Sequence, residues 1–577
     1  MSEREKIKSY KNFNVSVYVP VGNVNAITDL DAFDVEFSHL TDHMKIGRVY
    51  IENYRGDEWA EETQLLKLKA YFEGKGIAVS GGLTPVGTDA PGRDCPVSLC
   101  YSKKESHDAL RKAVEMNARL FGEMIFDDFF FLNCRCAECV KRKGGRTWAE
   151  FRLEEKKKII EEDVMGPAKA ANPDVNVILK YPQWFEVFNE LGYDLKMEPE
   201  MFDTIYTGTE TRNPMYSYQH LPKYLSYFTM RRYESAAPGR NLGGWFDPYE
   251  CTYNLTSYLE QGYLTLFGKA KEAMLFCLGS LLKSATDYRL FAPAVGQLFE
   301  ETDEYLDALG EPVGVPAYIP HDSRGEDNLH SYLGMVGFPT EPCSEYPEDA
   351  KTVFLTVGAL ADPDIEEKME KTLLQGGDVI LTSNFVRRMG LERFRRFAYI
   401  DVTDRKALVQ EYGAYDPVGV GGGLSGIHTG RKPVLITQID TGVNDVTDLA
   451  AAFGEDNHFP IICRTNYGDG RIIVLTIPDN YGDLYNYPAI ILRNIREQGE
   501  KTMKYILDAP ARVQLFVYDN DKVIIRSDFD NVTPVSLSVP EGKNAAVDLV
   551  TKREYPVRDG KITFRAAQGV NYVLDIR

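Results

Sequence analysis

Eight short β-rich runs, spread over the first 310 residues and mostly separated by helix-like stretches, constrain this chain more than any other feature. They are 13–21 (FNVSVYVPV), 46–54 (IGRVYIENY), 76–83 (GIAVSGGL), 122–130 (GEMIFDDFF), 175–182 (VNVILKYP), 201–210 (MFDTIYTGTE), 241–247 (NLGGWFD) and 272–280 (EAMLFCLGS). Their near-continuous apolar character is what a strand buried on both faces needs. Segments such as EETQLLKLKAYFEGKG and ESHDALRKAVEMNARLFG lie between them. Eight strands alternating with helices predict a (β/α)8 TIM barrel over residues 1–310.

Near Gly310 the texture changes. TVFLTVGAL, DPDIEEKMEKTLLQGG and DVILTSNF, spanning 352–385, form a β-α-β pattern of open parallel-sheet type. This predicts a flavodoxin-like α/β domain over 311–507. From 508 the hydrophobic period falls to two, with turn pairs at Asp519-Asn520 and Asp559-Gly560. A small C-terminal antiparallel β-sandwich is expected over 508–577.

A chain of 577 residues is too long for one core, and 44% hydrophobic with 12% aromatic content is enough for several. The formal charge of −20 repels phosphate backbones and argues against nucleic acid as a partner. The N-terminal MSEREKIKSYKNF has no apolar core of a secretory signal, and the longest apolar stretch, near 272–282, is half a membrane span. A soluble, cytoplasmic protein with no membrane partner is expected. The nine cysteines are odd in number and unevenly spaced, which argues against a disulfide framework.

Residues 122–139, GEMIFDDFFFLNCRCAEC, concentrate the chemistry. An apolar strand runs into Asp127 and Asp128, and Cys134-x-Cys136-x-x-Cys139 follows. Thiolates suit zinc, and structural zinc takes four ligands. Cys95, in GRDCPVSLCY after the third run, is the best candidate for the fourth, with Cys100 in reserve. A closed four-sulfur site would be structural, and no organic cofactor is expected.

Glycoside cleavage uses two carboxyl groups flanking the scissile bond, and a barrel places such groups at the C-terminal ends of its strands. By position the candidates are Glu52 (second run), Asp127 and Asp128 (fourth), Glu210 (sixth) and Asp247 (seventh), with Glu250 slightly beyond. Sugars stack on aromatic rings and hydrogen-bond to polar side chains. Tyr181, Trp184 and Trp245 are candidate platforms, and Lys180, Arg212 and His220 candidate binders of hydroxyls or of an anionic group.

CRCAEC followed by WAEFRLE (148–154) resembles the CxCxxC…FRxWL segment of family-42 β-galactosidases. The layout of barrel, flavodoxin-like trimerisation domain and small β domain is similar over the whole chain. The resemblance implies a zinc site completed by a cysteine in a CP-containing loop, which Cys95-Pro96 matches. It also implies an Asn-Glu pair at the end of strand four, with the Glu as general acid/base, and a Glu nucleophile at the end of strand seven. Here Asp127 and Asp128 occupy the Asn-Glu positions, and Asp247 is the nearest equivalent of the nucleophile. Glu210 is a rival partner for Asp128, in a strand-four/strand-six layout like that of α-galactosidase-type barrels. Paired aspartates after strand four also occur in substrate-assisted hexosaminidases. The second domain resembles class-I glutamine amidotransferase-like domains, but Ser383 sits where their cysteine nucleophile would be, without the flanking glycines, so an oligomer contact is the expected role. The resemblance implies a homo-oligomer, specifically a trimer. The expected function is an exo-acting hydrolase of a galactoside-like glycoside. The alternatives are a substrate-assisted hexosaminidase or α-galactosidase-type enzyme, a lyase, or a non-catalytic carbohydrate-binding barrel.

Overall fold

The computed structural model describes residues 9–87, 97–215, 221–283, 287–415, 423–442, 445–454 and 456–577. The chain divides into two compact units, Met1–Asp307 and Ala308–Arg577.

The first unit is the TIM barrel. Its strands are β1 (Asn14–Val19), β2 (Arg48–Arg55), β3 (Ala78–Thr84), β4 (Glu123–Phe126), β5 (Asn176–Tyr181), β6 (Thr204–Gly208), β7 (Asn241–Phe246) and β8 (Glu272–Phe276). Each pairs in parallel with its neighbours, and β1 pairs with both β2 and β8, which closes the cylinder. Six of the eight lie within the apolar runs of the sequence, and β2 and β3 overrun theirs by one residue. The inward layer is Tyr18, Tyr50, Ile125, Ile178, Tyr206, Trp245 and Met274, one packed core with no pore.

The outer ring follows from helical periodicity. In α1 (Lys104–Leu120), Ser106, Leu110, Ala113, Val114 and Asn117 are buried, spaced three and four apart so that they share the face turned to the strands. Asn117 reaches the strand backbone, with its Nδ2 3.2 Å from Gly82 O. A Cβ on Gly81 would lie 2.6 Å from Asn117 Oδ1, so the helix can settle this close only over glycine. The helix α2 (Trp148–Ile159) starts on a capping box, Thr147 with Glu150, that fixes its first turn behind the β4 end.

In the second unit the expected β-α-β pattern is present. Strands 352–355 and 378–382 pair in parallel, with helix Ile365–Leu374 between them in sequence. They belong to a nine-stranded sheet whose five parallel strands continue into four antiparallel ones, 457–467, 447–454, 400–414 and 428–441. The C-terminal region is antiparallel, with Asp519-Asn520 turning between 513–518 and 522–527. One hydrophobic cluster runs from Val315 through Ile473 to Ile576, so the α/β layer and the C-terminal strands share a core. Among the described residues no helix is long and apolar enough to cross a membrane.

Candidate active site

The C-terminal ends of β2, β4, β5, β6 and β7 bring the acidic candidates together. Adjacent residues on a regular strand face opposite ways, and β4 avoids this by ending at Phe126. Asp127 N–H still donates to Leu83 O (3.1 Å), but Asp127 O then accepts Phe130 N–H (3.3 Å), which turns the chain. Asp127 and Asp128 therefore both reach the same side. The turn is gripped from behind: Tyr193 OH donates to Asp128 O, and the Lys156 ammonium donates to Phe130 O. Lys156 is fully buried and 3.1 Å from the equally buried Glu198.

Lys180, at the end of β5, is the hub. Its Nζ is 2.8 Å from Asp128 Oδ2, 2.6 Å from Glu210 Oε1 and 3.5 Å from Asp127 Oδ1. It rests 4.3 Å over the Trp245 ring. On the β2 side, Arg55 donates to Glu52 (3.0 Å) and to Asp127 (2.9 Å). Glu52 also accepts from Tyr18 OH (2.7 Å), Val21 N–H (2.8 Å) and Thr84 OH, so it is saturated and wholly buried. On the β7 side, Arg212 grips Asp247 with a two-pronged pair of hydrogen bonds at 3.0 and 2.9 Å, and Tyr249 N–H adds a third at 3.1 Å.

Five carboxyl groups thus face three cations, and burial together with these neighbouring charges sets the protonation. Burial pushes Glu210 up; Lys180 opposes, Asp128 and Asp247 reinforce, and the net position is about 7. Burial likewise raises Asp128, with Lys180 opposing and Asp127 adding to it. Asp127 goes the other way, because Lys180 and Arg55 together outweigh its burial. For Lys180, burial favours the neutral form, but Asp128, Glu210 and Asp127 more than reverse that, so it stays charged. Glu210 Oε2 is buried and has no hydrogen-bond partner among the described residues.

Behind this turn the sulfurs of Cys100, Cys134, Cys136 and Cys139 all lie within 4.8 Å of one another. Cys100 is 3.7 Å from Cys136 and from Cys139, and Cys136 is 3.6 Å from Cys139. A tetrahedral zinc with bonds of about 2.3 Å spaces its sulfurs about 3.8 Å apart, so the donor set fits that ion. Hydrogen bonding from Cys100, aided by Ser102, pulls the Cys139 thiol down to about 5 against its burial, while Cys100 and Cys134 are pushed up. Cys95 lies outside the described residues; the fourth sulfur of the cluster is Cys100, the sequence's reserve candidate.

Residues 2–299 match the family model described as "Probable glycosyl hydrolase, catalytic domain". The chain belongs to this glycosyl hydrolase family. It is, by that membership, a glycosidase. Residues 504–571 of the hydrolase match "Probable glycosyl hydrolase, C-terminal domain", and 310–480 match the second domain of "Uncharacterized protein SSO3021". That Saccharolobus solfataricus protein is itself 22% identical over 533 residues, 84% of this chain and 86% of its own. The fold is shared with the β-galactosidase of Bacillus circulans sp. alkalophilus (TM-score 0.66, 12% identity, 98% of this chain and 99% of that one). It is shared equally with α-L-fucosidase isoenzyme 2 of Paenibacillus thiaminolyticus (TM-score 0.65, 12% identity, 97% and 99%). A catalytic mutant of Gan42B, a GH42 β-galactosidase from G. stearothermophilus, gives a TM-score of 0.65 at 11% identity over 99% of this chain and 100% of its own.

In the hydrolase, Asp127, Asp128, Lys180, Glu210, Arg212, Asp247 and Glu52 gather at one mouth. Two expected sugar platforms need correction. Tyr181 is fully buried, packed against Phe188, Tyr193 and Tyr233, and Trp245 is 2% exposed in the barrel core. Neither offers a free ring face. Trp184 is half-buried, its ring edge-on to Phe131 at 6.0 Å. His220 lies outside the described residues. Lys180 and Arg212, expected as binders of hydroxyls, have their donors turned onto carboxylates. Arg55, Thr84 and Tyr193 were missed by sequence reasoning. Period two puts Glu52 and Arg55 on opposite faces, but a register shift between Glu52 and Tyr54 brings both inward.

Proposed function

We propose that this glycosidase is a retaining, exo-acting hydrolase of a galactoside-like glycoside, using Asp128 as nucleophile and Glu210 as acid/base. One observation carries the reading: the two carboxylates hold the same ammonium at 2.8 and 2.6 Å, so the oxygens on it are at most about 5.4 Å apart, short of the ~6.5–9.5 Å of inverting pairs. Glu210, poised near 7, suits proton donation to the leaving oxygen. Asp128, ionised beside Lys180, attacks the anomeric carbon as the aglycone departs with that proton. Glu210 then takes a proton from water, which releases the sugar and restores Asp128. The roles are thus reversed from those that the Asn-Glu likeness implies for Asp128. Asp247 is the second candidate nucleophile, disfavoured because both its oxygens are held by Arg212.

The β-galactosidase and α-L-fucosidase folds support testing aryl galactosides and fucosides first. Incubation with activated 2-fluoro glycosides, followed by peptide mass spectrometry, should place the sugar on Asp128. An adduct on Asp247, or inverted product by NMR, rejects the assignment. Structural zinc on the four cysteines, trimeric assembly and a cytoplasmic setting belong to the same proposal. The sulfur spacing supports the first.

A further inference from the structure

We propose that Lys180 is a positioning residue that yokes Asp128 to Glu210, fixing the spacing of the two carboxyl groups and the pH range in which the pair works. This rests on the two-carboxylate reading above. The topology dictates the arrangement. β5 lies between β4 and β6, with Phe126 opposite Leu179 and Lys180 opposite Tyr206. A side chain reaching inward from the end of β5 therefore stands between the acid turn and Glu210.

The ammonium has three donors, and three carboxylates surround it: Asp128 at 2.8 Å, Glu210 at 2.6 Å and Asp127 at 3.5 Å. Below, the Trp245 ring at 4.3 Å blocks retreat into the barrel, and Lys180 is only 2% exposed. Two of its donors are spent on Asp128 and Glu210 and the third faces the Asp127 carboxylate, which argues against a primary substrate-binding role. Lys180 takes one oxygen from each acid. Asp128 Oδ1 is the oxygen that Lys180 leaves on the nucleophile, while Glu210 Oε2 is buried and carries no hydrogen bond from the described residues.

The other charges around the hub are already committed. Arg55 holds Asp127 and Glu52, and Arg212 holds Asp247. Nothing among them replaces Lys180 between Asp128 and Glu210. Removing the ammonium weakens the ionised form of both acids, so both titrate at higher pH. The limb set by the nucleophile and the limb set by the acid/base then move upward together.

The test uses the full chain with Lys180→Met and Lys180→Arg. In Lys180→Met, both limbs of the kcat/KM profile should rise by about 1–3 pH units, the effect of losing an opposite charge at this range, with kcat falling and KM little changed. Lys180→Arg should keep the limbs near the parent's while lowering kcat, because the charge survives and the geometry does not. A raised KM with unmoved limbs in Lys180→Met would overturn the proposal in favour of plain substrate binding.

Urea unfolding supplies a readout free of turnover. Relative to the parent, Lys180→Met should lose stability progressively as pH rises, and adding Glu210→Gln should remove much of that slope. A slope unchanged by the second substitution also overturns the coupling. If the parent turns over no glycoside, the two-carboxylate reading fails, and the unfolding series still decides whether Lys180 couples the acids. Should Lys180→Met not fold, Lys180→Arg decides the matter: shifted limbs with unchanged kcat reject the yoke.

Discussion

Replacing Glu210 by glutamine tests the electrostatics of the mouth directly, because the amide approximates the protonated acid in size and charge. Glu210 stands at about 7 against an ordinary 4.5, raised by burial and by Asp128 and Asp247 despite Lys180. Between those two values the folded protein keeps a proton that the unfolded chain has released. Stability therefore falls as pH rises through this window, and the loss is complete above the folded value. At about 1.4 kcal/mol per pH unit, the ionised Glu210 weighs against the fold by roughly 3 kcal/mol. The variant carries no such charge. It should match the parent near pH 4.5, where both are neutral, and exceed it by roughly 2–3 kcal/mol at about pH 8. Urea unfolding at several pH values, followed on the barrel transition, measures the difference. Activity should fall by about 10²–10⁴ at the same time, so the variant would be more stable and less active. A stability difference independent of pH, or a variant less stable than the parent at about pH 8, would refute the charge balance described for the site.

Lys156→Met leaves Glu198 buried and uncompensated, and should cost about 3–5 kcal/mol in urea unfolding, whereas Lys156→Met/Glu198→Met should recover most of it. Equal stability of the single and double variants would show that the pair does not matter. Metal analysis should find about one zinc per chain, and chelation or Cys136→Ser should lower the melting temperature. A fully folded, metal-free protein would remove the zinc assignment.

The barrel was legible because parallel strands buried on both faces leave apolar runs that little else produces. The strand ends were less so. Reading Asp127 and Asp128 as a pair depended on whether β4 continued past Phe126, which alternation cannot tell. Arg55 was hidden for the same reason: a local register shift reverses the face that period two assigns. Tyr181 and Trp245 were misjudged because an aromatic near a strand end can belong to the rim or to the layer beneath, and the difference is one position along the strand. In the second unit, the antiparallel strands between 400 and 467 escaped notice because the region is broken by glycine-rich sequence. Cys100 and Cys95 share one connecting stretch after β3, and spacing alone could not choose between them.

The indole beneath Lys180 also makes the mouth optically readable. Trp245 is one of only four tryptophans in the chain, and it lies 4.3 Å from a cation whose three nearest partners are the candidate catalytic acids. Its emission should respond when a proton or a ligand rearranges that charge. A chain in which the other three tryptophans are replaced by phenylalanine would report the ionisation of the pair, and the arrival of a sugar, without any chromogenic substrate.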